Sequence, residues 1–200
     1  MRGGARAAWG IGVALASAGA ARAGQPAPWW AAKGIPGLRE FHHQALSRRD
    51  TPYLEQTFFL DAAAYRTRAA DAREGLELLR KGQVALGVRN RFLLGVGARS
   101  RGEILTAQLK RCWPGGGDPG ANPTARAFLA FSARLVNARD VVEYLYPADG
   151  GLLWVQYGTE APRAFRDRAL VEAMLTLEFG RDPENPEGQA RILAALRRLP

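Results

Sequence analysis

The sequence predicts an α+β domain in which an antiparallel sheet is covered on one side by helices. Two observations carry that prediction. Segments with strand-like alternation come in adjacent pairs rather than alternating one by one with helices, which disfavours a parallel sheet. Between and after the pairs lie helix-periodic segments bracketed by capping residues, prolines and glycines.

Residues Gly24 to Gly37 are rich in Pro, Gly and Ala and read as an extended arm or linker. For Trp29-Trp30 within it, packing on the domain is the default reading and contact with a partner the alternative. Phe41 to Leu46 and Tyr53 to Tyr65 are the first two expected strands, the second with Leu54, Gln56 and Phe58 on one face. Ala69 to Lys81 is a short helix with Leu76 and Leu79 inward and Gly82 as its stop. In Val84 to Leu94, residues Val84, Leu86, Val88, Phe92 and Leu94 share a face, with Arg89 and Arg91 opposite. Ser100-Arg101-Gly102-Glu103 fits a capping box opening a helix that buries Leu105, Leu109 and Cys112. After a Gly- and Pro-rich loop, Asn122-Pro123 caps a helix lined by Phe128, Leu129 and Leu135. Asp140 to Tyr146 and Leu152 to Tyr157 form a hairpin about Pro147 to Gly151. Phe165 to Phe179 is expected to be helical. Asn185-Pro186 caps a last helix carrying Ile192, Leu193, Leu196 and Leu199.

The first residues predict export. Arg2 and Arg6 precede an uncharged run from Ala7 to Ala21, and Ala21-Arg22-Ala23 is the small-x-small pattern of a signal-peptidase site. The expected organisation is therefore a signal peptide over residues 1–23, an arm over 24–40 and one domain over 41–200, in the periplasm or secreted. The run is too short and too rich in Ala and Gly for a spanning helix, so no stable membrane anchor is expected after cleavage. A single cysteine, Cys112, excludes an intrachain disulfide, so packing must hold the fold. A buried structural thiol is the preferred reading of it.

The net charge of +9 is spread along the chain, largely as arginine, with no basic tract or interleaved aromatic stripe. Nucleic acid is not an expected partner. No phosphate-cradling glycine loop follows a strand, no nucleophile elbow is present, and no cofactor is implied. His42 and His43 are adjacent on an expected strand and therefore point to opposite faces, which disfavours a shared metal.

Four segments together resemble the bacterial, secreted branch of the chalcone isomerase-like family. They are Gln56 to Tyr65; Val88 to Glu103; the hairpin Tyr146 to Gly158; and Phe165 to Pro183, where Ala169-Leu170 through Phe179-Gly180 is similar to the family's late helix. Glu178 stands where that branch usually has Trp, and Tyr157 where Asn is usual. The resemblance spans about Phe41 to Leu199. It implies an open-faced β-sandwich, a curved antiparallel sheet with a cleft beneath a helical layer. It also implies isomerase (intramolecular lyase) chemistry resting on an arginine, a threonine on the second strand, a helical tyrosine and asparagine, and a late-helix hydroxyl.

Most of those positions are unmatched. Leu60 replaces the strand threonine, the helix at Ser100 holds neither Tyr nor Asn, and Leu177 occupies the late position with Thr176 beside it. Arg48 or Arg49 falls where the arginine belongs. A second branch of the family binds fatty acids through that arginine, so the expected ligand-binding residues are Arg48, Arg49 and Thr176. The leading expectation is non-catalytic binding of a small apolar or carboxylate ligand. The alternatives are an isomerase with a rearranged site and an envelope protein that binds a partner.

Overall fold

The computed structural model describes residues 27–32, 37–48, 50–180 and 186–199. The expected signal peptide, Arg49 and the Asn185 cap lie outside the described residues.

Six strands form one antiparallel sheet in chain order: β1 (Leu38–Arg48), β2 (Thr51–Asp61), β3 (Leu86–Phe92), β4 (Val141–Tyr146), β5 (Leu152–Tyr157) and β6 (Arg163–Arg166). Seven helices occur among the described residues: α1 (Trp29–Ala32), α2 (Ala62–Arg68), α3 (Ala72–Arg80), α4 (Ala98–Cys112), α5 (Pro123–Ser132), α6 (Arg168–Phe179) and α7 (Pro186–Leu196). The predicted class is the observed one.

Several boundaries differ from the sequence reading. Tyr65 is not in the second strand. The Asp61 side chain accepts the Ala64 amide, and this N-cap turns Ala62-Ala63-Ala64, good helix formers, into α2. Residues 163–166 are a sixth strand rather than a helix start, because Phe165 pairs with Leu153 and Asp167 caps α6 through the Leu170 amide. The capping box at Ser100 is also absent. Helix α4 begins earlier, at Ala98 with Gly97 as cap, and Glu103 pairs with Arg99 at 2.8 Å instead of reaching back. Two residues assigned to apolar faces are exposed: Leu94 lies beyond the end of β3, and Leu135 beyond the end of α5. Cys112 is half-buried at the end of α4, against the core.

The main core lies between the sheet and the helices. Phe58, Leu60, Leu86, Val88, Leu153 and Val155 form its sheet side, under Leu109, Phe128, Leu170, Leu175 and Phe179. The opposite face carries a smaller cluster. Trp30, only 1% exposed, seats against Phe59 and Leu145, with Trp29 and Trp154 packed at its edge. So the tryptophans of the expected arm pack on the domain. Burying one such ring contributes on the order of 3 kcal/mol. The fit depends on Gly87, where a Cβ would stand 2.6 Å from Trp30 Cζ2. Beneath α1, Arg89 and Glu143 form a buried ion pair at 2.6 Å, and the Trp29 backbone amide donates to the same carboxylate at 3.3 Å.

Candidate functional site

The strand register places a row of side chains, polar at all positions but one, across the helix-facing side of the sheet. Gln44, Gln56, Asn90, Val142 and Tyr157 are successive cross-strand partners on β1 to β5. Because side chains alternate along a strand, cross-strand partners share a face. Phe58 and Val88, two residues along, belong to the core, so this row also points toward the helices. Gln44 Nε2 donates to Gln56 Oε1 at 2.9 Å, and Gln56 Nε2 reaches Asn90 Oδ1 at 3.2 Å and Glu178 Oε1 of α6 at 3.4 Å. Tyr144 lies one row further along, between Val88 and Val155.

The helical layer places Arg101 over the Tyr157 end of this row. Arg101 is only 5% exposed. One nitrogen, Nη2, donates to the Tyr157 hydroxyl at 2.9 Å. Its guanidinium lies 5.0 Å from the Tyr157 ring centre and 5.1 Å from that of Phe92. Among the described residues Nη1 has no hydrogen-bond partner, and no carboxylate forms an ion pair with Arg101. Helix geometry adds a second unfavourable feature. Arg101 sits in the opening turn of α4, which has no acidic residue and no side-chain cap. The positive end of the helix dipole favours an anion there and disfavours a cation.

Three buried tyrosine hydroxyls on this face are held in their neutral form, and that of Tyr157 accepts from the guanidinium. Burial pushes the Tyr144 hydroxyl up, the neighbouring Tyr157 adds to that shift, and Arg101 opposes it. Tyr146 is raised well above its ordinary value by burial, reinforced by Glu178 and Tyr144. Tyr157 is raised by burial, with Arg101 the largest opposing influence. A buried cation flanked by neutral tyrosines can hold a carboxylate or stabilise a developing oxyanion. At the β1 edge, burial pulls His42 down to about 4, with Gln44 opposing and Arg191 of α7 assisting.

Of the expected site residues, Arg49 lies outside the described residues, and the other two belong to different parts of the fold. Arg48 ends β1 and pairs in register with Thr51 across the hairpin. Thr176 is half-buried on α6 and lines a groove of about 580 Å³ on the helical surface with Arg80, Arg111 and Arg168. Leu60 is fully buried on the helix-facing side of β2. The polar row and Arg101 were missed by the sequence reading, although traces were present. Gln56 sits between Leu54 and Phe58 on an apolar face, and Asn90 interrupts the stripe from Val84 to Phe92. Arg101 precedes Leu105 by one helical repeat, on the stripe that continues through Leu109 and Cys112.

No family model matches the chain, and no curated protein matches it in sequence. Among solved structures it is similar to a fatty-acid binding protein of Arabidopsis thaliana, with a TM-score of 0.65 and 15% sequence identity. The match covers 82% of this chain and 90% of that one. At this identity the likeness is one of fold. The six-stranded open sheet with its helical cover is a chalcone isomerase-like fold.

Proposed function

We propose that this protein binds an amphipathic carboxylic acid of the fatty-acid class between its sheet and its helices, with Arg101 as the carboxylate anchor. The carrying observation is the buried guanidinium without an acid partner. Desolvating an unpaired charge opposes folding by several kcal/mol, and an anionic ligand would supply the missing partner. The chain of such a ligand would run toward Tyr144, Val88 and Phe58, away from the polar end of the sheet. The fold neighbour is a fatty-acid binding protein, which supports the same ligand class. Arg48, which ends β1, and its neighbour in sequence Arg49 are the competing anchors. The leader-like residues 1–23 support action outside the cytoplasm. An N-terminus near Gly24 on exported material is the expected result, and recovery of the intact chain from the membrane fraction would overturn export.

Calorimetry with palmitate and its methyl ester tests the anchor. A charge-assisted hydrogen bond is worth about 1.5–3 kcal/mol, so the ester should bind roughly ten- to a hundredfold more weakly. Arg101→Met should abolish that difference, while Arg48→Ala and Arg49→Ala should preserve it. Equal affinity for acid and ester, or no binding of either, would reject the reading. The convergence of Arg101, Tyr144 and Tyr157 favours a second reading, an isomerase acting through an oxyanion. Saturable turnover of a chalcone that disappears in Arg101→Met would establish it.

A further inference from the structure

We propose that the α5–β5–β6 corner is the entry port for the ligand's carboxylate, lined by arginines that step from solvent to Arg101. The inference rests on the carboxylate-binding reading above and adds the route. Three guanidinium groups share a chain of aromatic rings. Arg163, on the edge strand β6, lies 5.2 Å from the ring centre of Phe131 and 5.4 Å from that of Phe165. Arg134, just beyond α5, lies 4.9 Å from Phe131 and 4.5 Å from Tyr157. Arg101 lies against the same Tyr157 ring at 5.0 Å. The rings themselves are in contact, with centres 5.7 Å apart for Phe131–Phe165 and 5.3 Å for Phe131–Tyr157.

Exposure falls along this path. Arg163 is exposed, Arg134 is half-buried and Arg101 is buried. Charge is not balanced along it. Arg134 Nη1 holds both oxygens of Glu160, at 2.7 and 2.8 Å, whereas neither Arg163 nor Arg101 has an acid partner among the described residues. Cation–π attraction alone explains why the guanidiniums sit over the rings. It does not favour gathering three arginines, only one of them paired with an acid, around rings that a neutral side chain could also cover. A graded positive field leading to a buried cation attracts an anion and brings it to the one position where its charge is matched. Arg163 and Arg134 hold the carboxylate in the encounter complex, the apolar chain enters the core, and the head settles on Arg101.

This division of labour separates association from retention. Stopped-flow binding of the fluorescent fatty acid cis-parinaric acid to the mature protein, over a range of NaCl concentrations, measures both. Arg163→Glu should slow association about tenfold and flatten its salt dependence while leaving dissociation unchanged, with Arg163→Gln giving a smaller slowing of the same kind. Arg134→Gln should also slow association. Arg101→Met should instead speed dissociation. Arg73→Glu, an equal charge reversal at an exposed position on α3, should leave association unchanged. Equal slowing by Arg163→Glu and Arg73→Glu would reduce the effect to net charge and overturn the port. So would normal association in all the port variants, with faster dissociation in Arg101→Met leaving the anchor intact. Failure of the unmutated protein to bind the probe would overturn the carboxylate reading and the port with it.

Discussion

Arg89 and Arg101 are buried on opposite faces of the same sheet, and their surroundings differ in one decisive respect. Arg89 points to the outer face, where Glu143 takes its charge at 2.6 Å and the Trp29–Ala32 helix seals the pair from solvent. Arg101 comes down onto the inner face, where tyrosine hydroxyls and ring faces surround it but no carboxylate pairs with it among the described residues. A buried arginine with its own acid is explained by the fold. A buried arginine without one is a feature the fold alone does not account for, and for that reason the functional reading rests on the inner face.

Breaking each arginine's environment should therefore have opposite effects on stability. Glu143→Gln leaves Arg89 buried and unpaired, and removing one partner of a buried pair costs about 3–5 kcal/mol. A large drop in the urea midpoint is expected. Arg101→Met removes a buried cation that has no partner and keeps most of the side-chain volume. The ligand-free protein should gain about 1–3 kcal/mol while losing carboxylate binding. Stabilisation by Arg101→Met and destabilisation by Glu143→Gln would sharpen the contrast. Equal losses in both would remove it, by showing that Arg101 is a satisfied structural residue.

A smaller effect concerns the β1 edge of the inner face. His42 has a depressed pKa of about 4 in the folded protein against an ordinary 6.5. Its neutral form is the one that fits between Phe41 and Phe58. Between those values the unfolded chain binds the proton more readily, so stability falls as pH falls. The contribution is complete above 6.5 and is lost progressively toward 4. Allowing for the ring's partial exposure, the loss is about 1–2 kcal/mol. His42→Phe should remove this component, seen as a smaller difference between the urea midpoints at pH 7 and pH 4.5. An identical pH dependence in the variant would show that His42 titrates normally.

Much of the fold could be read from local pattern. The hairpin Val141–Tyr146/Leu152–Tyr157, the stripe of α3 and the paired order of strands all depend on periodicity and turn chemistry, which act within a few residues. Where the reading failed, a neighbour distant in sequence or a single cap decided the outcome. Phe165 became strand because Leu153 was available to pair with it, and Tyr65 became helix because Asp61 capped the turn before it.

The sequence by itself determined the class of fold, the positions of most elements and the arginine-rich character of the chain, because these follow from local periodicity and composition. Only the tertiary structure decided which arginines are buried and which of those are paired with an acid. Arg89, Arg101 and Arg163 are chemically identical, and nothing in their local sequence distinguishes a charge with a partner from one without. Glu143 reaches Arg89 across 54 positions of sequence, and Tyr157 meets Arg101 across 56. Burial and pairing are properties of that long-range register, so the charge left unmatched in the interior becomes visible only once the sheet and its helical layer are assembled.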